Sequence, residues 1–271
     1  MYMKVNGVTL HANVQGDGEP LLLLHGFTGS HRNWEAFIPR WSKQFQVIAV
    51  DLLGHGLSDC PADPQRYSME HTVRDLTSLM DQLGVRQANV LGYSMGGRVA
   101  LSLAIMAPDR VSRLILESAS PGLRTSVERN SRIAGDEALA DRIERDGIEA
   151  FVDYWENIPL FQSIKQLPDE VQRSAREQRL RNNLLGLANS LRGLGTSAQP
   201  SWWERLSELT LPVCLIAGEK DEKFDLIARE LNKAVPQSVY TKVSDAGHIV
   251  HMEQSHTFDT IVLKFLTHNE V

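Results

Sequence analysis

Short, wholly apolar runs alternate with stretches of helical periodicity along most of this chain. Leu21-Leu22-Leu23-Leu24 has no polar face, as expected for a strand covered on both sides. Similar runs predict strands at 45–50, 88–91, 113–117, 213–218 and 239–243. Helical spacing predicts helices over about 69–83, 97–104 and 258–266. Strands that alternate with helices imply an α/β fold with a mostly parallel, doubly wound sheet. Between about 118 and 210 the rhythm stops. That stretch is polar and helix-patterned, and it reads as a helical lid inserted between late strands. The expected organisation is therefore a core of residues 1–118 and 211–271, with a lid at 119–210.

The sharpest local signal is Gly92-Tyr93-Ser94-Met95-Gly96, set between the apolar run ending at Leu91 and the helical stretch from Gly97. A serine on a tight strand-to-helix turn, with a glycine two positions either side, is a nucleophile elbow. Its backbone must take a strained conformation, and side chains at the flanking positions would clash. The helix that follows aims free N–H groups at the site. A serine hydroxyl is weak until a neighbour takes its proton, and histidine suits that task because it titrates near neutrality.

In a strand–elbow–helix arrangement of this kind the partners follow as acid and then histidine. Gly218-Glu219-Lys220-Asp221 ends a late strand and supplies Asp221, with Glu219, Glu222 and Asp225 as nearby rivals. Ala246-Gly247-His248 follows the last strand and supplies His248, with His251 as its rival. Two backbone N–H groups should form an oxyanion hole, those of Met95 and Phe27. His25 and His55 read as loop architecture. His248 and His251 share the spacing of two metal ligands, but no third is placed beside them, so no metal is expected. No phosphate loop or dinucleotide fingerprint is present, so no cofactor is expected.

Composition narrows the setting. Hydrophobic residues at 42% and charged residues at 23% suit a folded globular domain. A net charge of −6 carries no nucleic-acid footprint. Cys60 and Cys214 make no disulfide framework, which favours a reducing compartment. The N-terminus lacks an apolar signal region, and no apolar run is long enough to span a membrane. A cytoplasmic protein is expected, with its oligomeric state open. Residues 118–210 hold eleven arginines and one lysine, against nine and seven elsewhere. Guanidinium groups bind carboxylates through two parallel hydrogen bonds, so an anionic small molecule is the natural ligand. The same stretch holds fourteen acidic residues, so only two or three arginines should point inward.

Leu23-Leu24-His25-Gly26-Phe27, Asp51 to Asp59, the elbow, Gly218 to Asp221 and Ala246-Gly247-His248 together resemble the α/β-hydrolase superfamily. A narrower likeness lies in Tyr93 before the serine and Arg98 after it, Ser120-Pro121-Gly122-Leu123, Arg132, and the run from Phe151 to Phe161. Arg179-Leu180-Arg181-Asn182-Asn183 and Gly218-Glu219-Lys220-Asp221-Glu222-Lys223-Phe224 continue it. These segments resemble the 2-succinyl-6-hydroxy-2,4-cyclohexadiene-1-carboxylate synthase family of menaquinone biosynthesis. The resemblance implies a lyase that eliminates pyruvate from a polycarboxylate with a Ser-Asp-His triad and no cofactor. It further implies that Arg98, Arg132 and Arg179 grip carboxylates and that Tyr93 and Trp155 line the pocket. Tyr154 competes with Trp155, and Arg181 with Arg179. Two other functions fit the same fold: a serine hydrolase of a small ester, thioester or carbon–carbon bond, and a non-catalytic binding protein.

Overall fold

A computed structural model describes residues 1–267; residues 268–271, at the end of the expected core, lie outside the described residues. Among the described residues, eight strands form one sheet in the order β1-β2-β4-β3-β5-β6-β7-β8. They are β1 (Tyr2–Val5), β2 (Val8–Gln15), β3 (Glu19–Leu24), β4 (Phe45–Asp51), β5 (Ala88–Tyr93), β6 (Val111–Glu117), β7 (Val213–Gly218) and β8 (Ser238–Val243). From β4 to β8 across the sheet every pairing is parallel. β1 and β2 add an antiparallel edge.

That edge hairpin was not foreseen. Its signal was present: Asn6-Gly7 joins the strands with φ of 44° and 86°, the backbone of a tight hairpin turn that matches strand twist. The flanking residues Val5 and Val8 pair directly across the turn.

The helices are α1 (Ile38–Trp41), α2 (Met69–Gln82), α3 (Met95–Met106), α4 (Ser126–Trp155), α5 (Asp169–Leu180), α6 (Leu184–Leu194), α7 (Glu222–Ala234), α8 (Val250–Glu253) and α9 (Ser255–Thr267). Strand residues feed two cores in alternation, because successive side chains point to opposite faces. Leu22, Leu24, Ile48 and Val50 pack with α2, α3 and α7 on one side. Leu21, Leu23, Val47 and Ala49 pack with Trp34, Trp41 and Phe258 on the other. This double coverage is why the central strands read as unbroken apolar runs.

Between β6 and β7 the chain leaves the sheet and builds α4, α5 and α6, with no strand. Thr125 and Glu128 cap α4 reciprocally, and Gly147 breaks that helix with φ of 84°. A third apolar cluster, including Ile143, Phe151, Val152, Leu187 and Leu191, ties α4 to α6. Phe27 and Trp155 pack against its edge, so this segment meets the sheet beside the loop after β3.

Candidate active site

β5 ends at Tyr93 and α3 begins at Met95, so Ser94 alone makes the turn. Its φ of 49° and ψ of −108° lie outside the ordinary basins for a residue with a side chain. Ser94 N–H donates to the Glu117 carbonyl on the adjacent strand at 2.8 Å, which helps hold that strain. The flanking glycines have a direct cause. A Cβ on Gly92 would stand 2.3 Å from the Gly96 carbonyl oxygen, and one on Gly96 would stand 2.1 Å from that of Leu24.

The hydroxyl of Ser94 lies 3.0 Å from His248 Nε2. His248 Nδ1 lies 2.6 Å from Asp221 Oδ2. Both partners are buried, His248 at 1% exposure and Asp221 at 7%. Asp221 also caps α7, accepting from the Phe224 N–H at 3.3 Å. Phe224 in turn packs its ring 4.6 Å from the imidazole. The pair is therefore clamped by a helix start on one side and an aromatic ring on the other.

The rivals point elsewhere. His251 donates its backbone N–H to Glu117 and faces the same carboxylate with Nδ1, each at 2.9 Å. Glu219 accepts from the Asp245 N–H. Asp225 is engaged by Tyr240, Arg229 and Lys242. Glu222 is exposed on the first turn of α7.

A cavity of about 400 Å³ opens over Ser94 and His248. Phe27 and Met95 line it, as do Tyr93, Arg98, Arg132 and Trp155. His25 braces the loop carrying Phe27: its Nδ1 donates to the Gly26 carbonyl at 2.7 Å, and its Nε2 accepts from the Leu52 N–H at 3.0 Å. Tyr93 is buried, and that burial, with Glu117 nearby, raises its hydroxyl well above the usual range, so it stays protonated. Arg98 donates to Gln199 Oε1 at 3.2 Å. Burial lowers its guanidinium to about 10, opposed by Asp136 and assisted by Arg132. Arg132 pairs with Asp136 at 2.7 Å, and its side chain is 47% exposed.

Arg179 does not line this cavity itself. It is buried behind Phe161, 5.6 Å from that ring, and pairs with Glu156 at 3.1 Å. It lines a second cavity of about 360 Å³ with Arg173 and Arg176, and a smaller pocket with Phe27 and Tyr93. Tyr154 is exposed under Arg142, so Trp155 is the aromatic that reaches the catalytic cavity. Arg181 is exposed beside Glu177. The sequence reading passed over other lining residues, including Arg124, Phe161, Ser190 and Lys223. Of these, Phe161 and Lys223 sit in segments that the family resemblance had already marked.

Among the described residues, one cluster has metal-binding residue types. The side-chain ligand atoms of His11, His31 and Asp51 lie within 4.8 Å of one another. Sequence reading weighed only His248 and His251 and missed it, because β2, β4 and the loop after β3 bring it together only in space. Both histidines place Nδ1 2.9 Å from the Asp51 carboxylate, and the His31 and Leu57 N–H groups donate to it as well. Burial opposes its charge, but the hydrogen bonds from His31 and Leu57 outweigh that and hold its acidity below the usual carboxylate range. The cluster ties β2, the loop after β3 and the loop after β4 to one buried carboxylate.

A strained serine in line with a buried histidine and carboxylate, on a doubly wound sheet, defines a serine-dependent enzyme of the α/β-hydrolase class. A profile of the alpha/beta hydrolase fold matches residues 19–255. A Bacillus subtilis (strain 168) protein provisionally named 2-succinyl-6-hydroxy-2,4-cyclohexadiene-1-carboxylate synthase is 50% identical over 92% of this chain and 90% of its own. The synthase of that name from Citrobacter koseri is 32% identical over 89% and 92%. The structure of MenH from S. aureus superposes with a TM-score of 0.90 at 37% identity, over 95% of this chain and 97% of the other. The chain belongs to the α/β hydrolase fold family and, within it, to the 2-succinyl-6-hydroxy-2,4-cyclohexadiene-1-carboxylate synthase family.

Proposed function

We propose that this protein is a carbon–oxygen lyase of menaquinone biosynthesis. It converts 2-succinyl-5-enolpyruvyl-6-hydroxy-3-cyclohexene-1-carboxylate into 2-succinyl-6-hydroxy-2,4-cyclohexadiene-1-carboxylate and pyruvate. The observation that carries the reading is a Ser94–His248–Asp221 relay opening into a cavity that holds Arg98 and Arg132. A hydrolase of neutral esters has no need of guanidinium groups in its cavity, whereas this substrate carries three carboxylates.

The chemistry follows from the substrate. The ring C–H beside the succinyl carbonyl is acidified by that carbonyl. Ser94 takes this proton and passes its own to His248, whose imidazolium Asp221 stabilises. The electron pair forms a double bond, the ring alkene shifts by one position, and the carbon–oxygen bond to enolpyruvate breaks. The departing enolate takes a proton and becomes pyruvate. The backbone N–H groups of Phe27 and Met95 hold the negative charge that builds on the succinyl oxygen. Arg98 and Arg132 grip carboxylates, while Tyr93 and Trp155 shape the wall. These residues need no metal or cofactor for the elimination. Outside the reaction itself, no helix of the described residues is long and apolar enough to cross a membrane.

The test couples pyruvate release from the enolpyruvyl substrate to a dehydrogenase and compares it with turnover of a simple aryl ester. The reading expects pyruvate release to dominate, with no acyl group on Ser94 in rapidly quenched samples. Ester turnover with a trapped acyl-serine and no pyruvate would move the protein to the hydrolases.

A further inference from the structure

The loop after β3 turns at Gly26-Phe27-Thr28-Gly29, where the Gly29 N–H donates to the Gly26 carbonyl at 3.0 Å. Thr28 is buried in that turn with φ of 67°. A β-branched residue is seldom found there, because its Cβ crowds the backbone and glycine is the usual occupant. Such a conformation persists only where the surroundings hold it. The strained turn at Ser94 is braced from within the sheet, by the Glu117 carbonyl. The strained turn at Thr28 is braced from outside it.

Asn182 supplies that brace. It sits in the link between α5 and α6, only 8% exposed, and its Nδ2 donates to the Thr28 carbonyl at 2.8 Å. The same nitrogen donates to the Arg179 carbonyl at 3.1 Å, in the last turn of α5. One amide thus ties a helix end, where carbonyls lack partners within the helix, to a loop 154 positions away. Its Oδ1 is buried with no hydrogen-bond partner among the described residues. An idle buried acceptor is costly, and a glycine can close a helix end through backbone bonds alone. Capping α5 therefore does not account for this side chain. Its donor does, and that donor reaches the turn that carries Phe27.

We propose that Asn182 is a positioning residue for the oxyanion hole, an inference that rests on assigning the Phe27 N–H to that hole. Pinning the Thr28 carbonyl holds the turn in its strained shape, and the turn sets where the Phe27 N–H points. A relaxed turn shifts that donor, and a misplacement of about 1 Å can cost on the order of 100-fold in rate. The oxyanion develops only as the reaction proceeds, so the loss falls on kcat and spares KM. The bond also makes the hole depend on α5 and α6 being seated on the catalytic loop.

Two variants, two assays and one rescue test this. Asn182→Ala should lower kcat for pyruvate release about tenfold or more, with KM within about twofold of wild type. Asn182→Asp keeps the shape but sets an oxygen against the Thr28 carbonyl, and should lose at least as much. Both should slow phosphonylation of Ser94 by a fluorophosphonate by a similar factor, since the phosphoryl oxygen seats in the same hole. Thr28→Gly removes the strain that Asn182 restrains. In that background Asn182→Ala should cost less than about threefold in kcat. A kcat within twofold of wild type in both Asn182 variants, a loss carried by KM, or an equal loss in the two backgrounds would overturn the proposal. A lowered unfolding midpoint with kcat and phosphonylation intact would also overturn it and leave Asn182 as a helix cap. A wild-type protein that releases no pyruvate would defeat the lyase reading instead, and the phosphonylation rates would still judge Asn182.

Discussion

His248 and His251 stand three residues apart, and each turns Nδ1 to a buried carboxylate, Asp221 at 2.6 Å and Glu117 at 2.9 Å. They differ at the other nitrogen. His248 Nε2 meets a serine hydroxyl at the floor of a cavity. His251 Nε2 is buried with no hydrogen-bond partner among the described residues, and the imidazole ring lies 4.9 Å, centroid to centroid, from those of Trp34 and Tyr93. A histidine–acid pair is therefore not by itself a catalytic device. Access and a third group make it one. The second pair is structural: Glu117 ties α8 to β6 through its side chain, while its carbonyl holds Ser94 N–H.

The largest test of this contrast is to remove each side of the working relay. Ser94→Ala should cost on the order of 10³-fold or more in kcat, with His248→Ala on the same scale and the double variant little worse, because relay members act as a unit. Pyruvate release by either variant within tenfold of wild type would remove that residue from the chemistry.

His251→Ala should behave in the opposite way. Leaving the Glu117 charge buried and unpaired should cost about 3 kcal/mol in denaturant unfolding. The folded fraction should keep kcat within about tenfold of wild type. Full stability with lost turnover would reverse the two roles.

Arg132→Ala should reduce kcat/KM for the polycarboxylate by about 10- to 100-fold, as expected for a charge-assisted hydrogen bond. Unchanged kcat/KM would take it out of the site.

A smaller effect concerns acid stability. His55 is fully buried, and burial lowers its imidazole to about 3 from an ordinary 6.5, reinforced by the nearby His25. Between those values the unfolded chain binds a proton that the folded chain does not. Stability is therefore lost as pH falls from about 6.5 towards 3, by up to about 1.4 kcal/mol per unit from this group. His55→Gln should flatten that slope. An unchanged slope in urea unfolding from pH 7 to 4 would show that other groups govern it.

Much of this site was legible before any coordinates. The elbow announces itself because a strained turn leaves glycine as the residue that fits at Gly92 and Gly96. The central strands announce themselves because burial on both faces removes every polar position. Other features were harder to read. The Asn6-Gly7 hairpin carried a local turn signal, but its strands alternate polar with apolar at a sheet edge and lack a continuous apolar run. Arg179 lines one pocket with Arg173 and Arg176 and another with Phe27 and Tyr93, and that placement depends on packing between elements rather than on spacing along the chain. The His11–His31–Asp51 cluster joins residues up to 40 positions apart, and no spacing along the chain encodes that meeting.

The sequence alone determined the alternation of elements, the strained serine, the order of its partners and the family, since each rests on local sterics, periodicity or chain order. The tertiary structure decided which histidine faces Ser94 and which arginines share its cavity. Those outcomes depend on side-chain directions across elements distant in sequence, and packing in three dimensions sets them.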